Sequence, residues 1–190
     1  IQNPARQAGD TKRILGPTDL RPGTHENGHP MRLDAGLGAF GEPARDNGAI
    51  PAPLNYRGYT KSICTSINHV VCHGIPNDTP MREGDIVNID VTLIVDGWFG
   101  DSSRMYPMGE VSRKAERLNE VTYECLMRGI AMVKPGAHLG DIGYAIQTFA
   151  EAERCSVVRD FCGHGLGRVF HDHPNVLHYG RMGEGVELKE

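Results

Sequence analysis

The clearest alternation in the chain runs from Asp85 to Val95, where Val87, Ile89, Val91, Leu93 and Val95 fill one face of a strand and Ile86, Asn88, Asp90, Thr92 and Ile94 fill the other. The first face reads as core, and the second carries polar groups between apolar ends. Asp96-Gly97 follows at once, and because both central positions of a type I′ turn need positive φ, this pair predicts a hairpin returning from Trp98 to about Tyr106. Upstream, the β-branched and apolar residues of Lys61–His73, interrupted by Asn68, predict two short strands or a strand and a bend before Gly74-Ile75-Pro76. Downstream the period becomes helical. Ser112 can cap a helix reaching about Val133, with Leu118, Val121, Leu126 and Met132 or Val133 near helical spacing and Pro135-Gly136 ending it. A second helix is expected over about Leu139–Glu153, with Ile142, Ala145, Ile146 and Phe149 turned inward. A short strand over Ser156–Phe161, the glycine-broken stretch Cys162–Gly167 and the apolar Val176–Tyr179 complete the pattern. Strands, then helices, then strands indicate an α+β domain. Residues 1–47 hold many Gly, Pro, Asn, Asp and Arg residues without lasting periodicity, so an atypical, irregular segment is expected there and an ordered domain over 48–190.

Composition narrows the class. With 190 residues and 39% of them hydrophobic, the chain can bury the core of one domain. No run of eighteen apolar residues and no basic-then-apolar leader is visible, which favours a cytoplasmic, non-membrane protein. Five cysteines, an odd number lacking any CxxC pair, suit reduced thiols and not a zinc knuckle. A net charge of −4 with scattered Lys and Arg offers no stripe for nucleic acid.

Chemistry enters through the hairpin. A two-residue loop at Asp96-Gly97 sets Thr92 opposite Asp101 and Asp90 opposite Ser103, so Asp90 and Asp101 share a face as diagonal neighbours about 7–8 Å apart. Two carboxylates held together without a counter-ion would partly protonate, whereas a divalent cation favours both charges. The competing reading is two solvated surface acids, which the flanking Ile86 and Ile94 weaken. His164 lies between Gly163 and Gly165, which expose its imidazole as a ligand for a borderline metal; alone, such a histidine is more often structural. The Gly-x-Gly-x-Gly spacing does not fit a dinucleotide fingerprint. His73 and His171 can donate to substrate or move protons near neutral pH, while His69, His173 and His178 read as surface or satisfied side chains.

On these residues the chain resembles the type I methionine aminopeptidases, enzymes of the pita-bread fold. The stretches that carry the likeness are Asn55–Tyr59, Lys61–Asn68, Val71–Pro76, Gly84–Val91, Gly100–Ser103 and Cys162–Gly167, in order, from about Gly48 to Glu190. The resemblance implies that Asp90, Asp101 and His164 are ligands to two divalent metal ions (Co, Mn, Fe or Zn), with Asp101 bridging. It implies that His73 contacts the scissile peptide and His171 stabilises its carbonyl. Tyr56, Tyr59, Cys64 and Phe170 would form the pocket for the methionine side chain, whose thioether suits sulfur and aromatic neighbours. Asn68 and the Val70 carbonyl resemble a monovalent-cation site.

The implied function is removal of the initiator methionine from nascent chains by metal-activated water, in a monomer with the ribosome as a candidate partner. The family has two further glutamate ligands beyond the segment ending Val186–Glu190, one of them a general base, so the pita-bread fold is expected to be incomplete and poorly stable. The reading frame is expected to be cut short, with a frame error upstream of Arg45. Three alternatives stand beside this reading: a non-catalytic pita-bread protein, an inactive fragment and a proline-specific aminopeptidase of the same fold.

Overall fold

The strand predicted from alternation forms the centre of the principal sheet. The structure, a computed structural model, describes residues 41–190. The expectation for 1–47 therefore falls mostly outside the described residues; of that stretch, Glu42–Asp46 forms a short helix, α1. The elements that follow are β1 (Ile50–Pro51), a 3-10 turn (Tyr56–Gly58), β2 (Cys64–Ile67), β3 (Ile86–Val95), β4 (Trp98–Pro107), α2 (Arg113–Ala131), α3 (Leu139–Ala152), β5 (Gly163–Gly165) and β6 (Asp172–Val176).

These divide into two compact units. One comprises the described residues up to Ser112 together with Gly167–Phe170, and the other comprises Arg113–Leu166 and His171–Glu190. In the first unit β3 pairs antiparallel with β4 along its whole length, from Ile86 opposite Pro107 to Val95 opposite Trp98. The joining turn has Asp96 at φ 51° and Gly97 at φ 77°, the signs a type I′ turn requires. The other edge of β3 is shared end to end: β2 pairs it from Ile67 opposite Val87 to Cys64 opposite Asp90, and β1 pairs at Ile94 and Leu93. Ile63, Val87, Ile89, Val91 and Met108 form the core on one side of this sheet, with Ile67, Met81, Leu93 and Tyr106 against them. Val95, expected on that core face, is 47% exposed because the strand ends at the hairpin tip. Lys61–His73 resolves to the second of its two expected forms, a strand and a bend, with Asn68 at φ 52° turning the chain.

The second unit is built on α2 against α3. The stripe that α2 buries is Val121, Cys125 and Gly129, one residue per turn, and Val121 and Cys125 cluster with Ala150, Ile146, Phe149, Cys155 and Val157. Leu118 and Leu126, which share the helical spacing, are 46% and 52% exposed. Gly129 explains the shift: a Cβ there would meet Ile146 at 3.0 Å, so the helices come together where the side chain is smallest. In α3, Ile142 is buried as expected, while Ala145, Ile146 and Phe149 are half-buried. Residues 156–161 form no strand. The nearby pairing is instead β5 with β6, two strands that alternation did not reveal.

The start of α3 is tied down from the far end of the chain. Asp141 is buried and accepts the N–H of His138 (2.8 Å) and that of Gly183 (2.6 Å). These two bonds, led by Gly183, hold its carboxyl below the ordinary value of 3.8. A depressed acid stabilises the fold above its ordinary pKa, and that contribution is lost as pH falls through the lowered value. Asp141→Asn should therefore lower the urea midpoint at pH 7, and its deficit against the parent should shrink as pH is taken well below 3.8. An equal deficit at both ends of that range would show that Asp141 acts through shape alone.

Candidate active site

Pairing places the two aspartates as the turn predicted, with Asp90 opposite Ser103 and Thr92 opposite Asp101, so both carboxylates lie on the sheet face away from the core cluster. Asp90 is half-buried and Asp101 exposed. On the other edge of β3, Cys64 pairs with Asp90 and joins the same face. Burial pushes the Cys64 thiol up, and Asp90, Asp101 and Cys72 push it further; a hydrogen bond with Tyr59 acts in the opposite sense. Burial likewise raises Cys72, with Asp90 adding to it. Tyr59 is driven far above its usual range by burial first, then by Cys64 and Asp90. Three neighbouring weak acids are thus held neutral, in part by the field of the carboxylates. That field is what a divalent cation would neutralise, so this donor pair fits a hard or borderline metal. Among the described residues no group of three or more His, Cys, Asp or Glu side chains gathers closely enough to hold a metal ion.

The two tyrosines and the phenylalanine of the expected side-chain pocket also belong to this unit. The Tyr59 hydroxyl lies 3.0 Å from the carbonyls of both Ile63 and Gly74, binding the start of β2 to the loop that carries His73. His73 itself is exposed and has φ 55°. Phe170 is only 9% exposed and is flanked by two rings, Tyr56 at 4.9 Å and Phe99 at 5.3 Å between centroids. Phe99 was not among the residues expected from sequence. The register that pairs Thr92 with Asp101 also pairs Ile94 with Phe99, so the same hairpin reasoning could have put this ring on the carboxylate face.

His164 and His171 belong to the second unit, with ring centroids 4.4 Å apart and planes inclined by 47°. His164 Nδ1 is 2.9 Å from the Gly165 carbonyl. A proton on Nδ1 donated there leaves the lone pair on Nε2, the tautomer in which imidazole ligates a metal. The flanking glycine is required by the β5–β6 pairing, which shifts register between His164 and Gly165; a Cβ on Gly165 would overlap the carbonyl of His173. Asn68 is engaged within the protein: its Oδ1 accepts the Ile86 N–H at 3.0 Å and its Nδ2 donates to Asp85 at 2.8 Å.

Comparison with known proteins agrees with this architecture. Residues 20–190 match metallopeptidase family M24, and the chain belongs to that family, whose members use divalent metals. It is 68% identical to a methionine aminopeptidase of Rickettsia prowazekii over 142 residues, which cover 75% of this chain and 55% of that relative. The chain thus spans little more than half the length of the relative. The crystal structure of methionine aminopeptidase from the same organism superposes with a TM-score of 0.78 at 60% identity, covering 84% of this chain and 66% of that one. A prolidase from Pyrococcus furiosus gives a TM-score of 0.69 at 19% identity over 97% of this chain and 50% of the other, a likeness of fold alone. The fold is the pita-bread fold, present in part. Among the described residues no helix is long and apolar enough to cross a membrane.

Proposed function

We propose that this chain carries the methionine-recognising and first metal-binding portion of a methionine aminopeptidase, within a domain over 48–190, and that its substrates are the N-terminal methionyl ends of nascent chains. The observation that carries the reading is the carboxylate pair of Asp90 and Asp101 on a sheet face shared with Cys64 and bordered by the Tyr56–Phe170 ring pair. Asp90, Asp101 and His164 would be the ligands that this chain supplies. Bound Co, Mn, Fe or Zn supplies an acidified water and a polarised peptide carbonyl.

The protein groups then have separable roles. Tyr56, Tyr59, Cys64 and Phe170 take the methionine side chain, whose thioether suits sulfur and aromatic neighbours. His73 contacts the scissile peptide, and His171 donates toward its carbonyl oxygen. A monovalent cation near Asn68 and Val70 would draw on backbone carbonyls, since the Asn68 side chain already serves Ile86 and Asp85. We place the protein in the cytoplasm as a monomer, with the ribosome as its candidate partner.

Calorimetric titration of Mn(II) into the protein, followed by assay of the same sample on Met-Ala-Ser and on Xaa-Pro peptides, tests the reading. Metal binding with release of methionine, and little action on Xaa-Pro, is the expected result. Preference for Xaa-Pro would transfer the chain to the proline-specific branch of the fold, and metal binding without turnover would favour a non-catalytic role.

A further inference from the structure

We propose that Phe99 is a specificity-determining positioning residue that holds Phe170 as the wall of the side-chain pocket and ties that wall to the carboxylate site; this rests on the reading given above. Phe99 and Asp101 lie two positions apart on β4, on the same face, and about 7 Å of strand separates them. The ring of Phe99 stacks on Phe170 at 5.3 Å with planes 21° apart, and Phe170 in turn meets Tyr56 at 4.9 Å and 59°. Phe170 is buried between two aromatic neighbours, so its orientation depends on both.

The backbone makes the arrangement specific. The Phe99 N–H donates to the carbonyl of Gly167 at 2.8 Å. One residue after Gly167 and one before Phe99, the Arg168 guanidinium lies 4.6 Å above the ring of Trp98. The four-residue segment Gly167–Phe170 is therefore clasped to the start of β4, and it contributes the buried ring of Phe170 to the first unit. Since Phe99 and Asp101 share one strand, the distance from the pocket wall to the carboxylates is fixed by strand geometry and not by a loop. A long, unbranched apolar side chain is the substrate class that such a wall selects. Loss of the Phe99 ring would let Phe170 rotate into the vacated space and admit bulkier N-terminal residues.

The test compares the Mn-loaded protein with Phe99→Ala and Phe99→Tyr. Phe99→Ala should raise KM for Met-Ala-Ser about two- to tenfold, as expected for losing an aromatic pair, with kcat within about twofold. It should also narrow the preference for Met over Phe at the first position, and Phe99→Tyr should restore both. A uniform loss of kcat in Phe99→Ala without change in selectivity would reduce Phe99 to a structural role and overturn the inference. A second readout separates this from the broader reading: L-methionine titrated into the parent protein should shift the ring resonances of Phe99, Phe170 and Tyr56. Turnover of Met-Ala-Ser with those resonances unmoved would overturn the inference and leave the aminopeptidase reading standing. Shifted resonances without turnover would support the pocket and count against the enzyme.

Discussion

Asp101→Asn should weaken Mn(II) binding on the order of 100-fold or more, since removing even a group that only orients a ligand costs 10–100-fold. The change is nearly isosteric, so the sheet should survive: Asp101 sits exposed on β4, opposite Thr92 and away from the core cluster. What it removes is one of the two negative charges on that face, and a neutral amide oxygen is a poorer donor to a hard cation. Calorimetry at fixed pH and salt measures the effect, and a thermal melt of the same sample checks the fold. Unchanged Mn(II) affinity in a folded variant would take Asp101 out of the ligand set and with it the main support for a metal centre on this hairpin.

The second large effect is expected on stability, from a single methyl group. In Gly74→Ala the new Cβ would run into the carbonyl oxygen of Thr65, with Thr65 C at 2.8 Å and Ser66 Cα at 2.9 Å. All three are backbone atoms, so no side chain can swing aside. The site is also bonded on every side: Thr65 N–H donates to the Gly74 carbonyl at 2.8 Å, the Tyr59 hydroxyl reaches the same oxygen, and Gly74 N–H donates to Ser66 Oγ at 3.1 Å. Overpacking of this kind costs about 3 kcal/mol, the upper end of its usual range. Gly100→Ala provides the control, because nothing lies within 4 Å of its Cβ position, and it should change stability by less than about 0.5 kcal/mol. Urea denaturation of both variants at pH 7 makes the comparison. Equal stability of the two would mean that the bend bearing His73 is less tightly held to β2 than its bonds imply.

What could be read from sequence follows from how local the determining physics is. The β3–β4 hairpin was legible to the residue because Asp96-Gly97 fixes the turn, the turn fixes the register, and the register fixes which side chains share a face. The helices were legible in extent, and α3 in orientation as well, but of the stripe that α2 buries only Val121 was. The close approach of α2 to α3 is made at Cys125 and Gly129, and a glycine that permits contact carries no hydrophobic signal. Strands β5 and β6 were hidden for a related reason: Gly-His-Gly and Asp-His-Pro-Asn-Val lack alternation, and their pairing depends on two backbones meeting where a Cβ would not fit. The stretch Ser156–Phe161 shows the converse, since Val157, Val158 and Phe161 suggest a strand but none forms without a partner for its backbone to pair with. Phe99 shares the carboxylate face by the same register, but an aromatic ring on a strand carries no signal of a site by itself.

Strand β3 is also the segment of this chain most prone to self-association in an unfolded state, a ten-residue run of mostly apolar and β-branched residues without proline. In the folded protein both of its edges are occupied: β4 covers one throughout, and on the other β2 and β1 are extended by the bonds from Ala52 N–H to the Thr92 carbonyl and from Asn68 N–H to that of Ile86. Sharing one edge between two short strands means that neither β1 nor β2 alone protects it. Loosening of either would bare a stretch of unpaired amides on the most adhesive strand, so conditions that fray β1 or β2 should promote aggregation before the core itself melts.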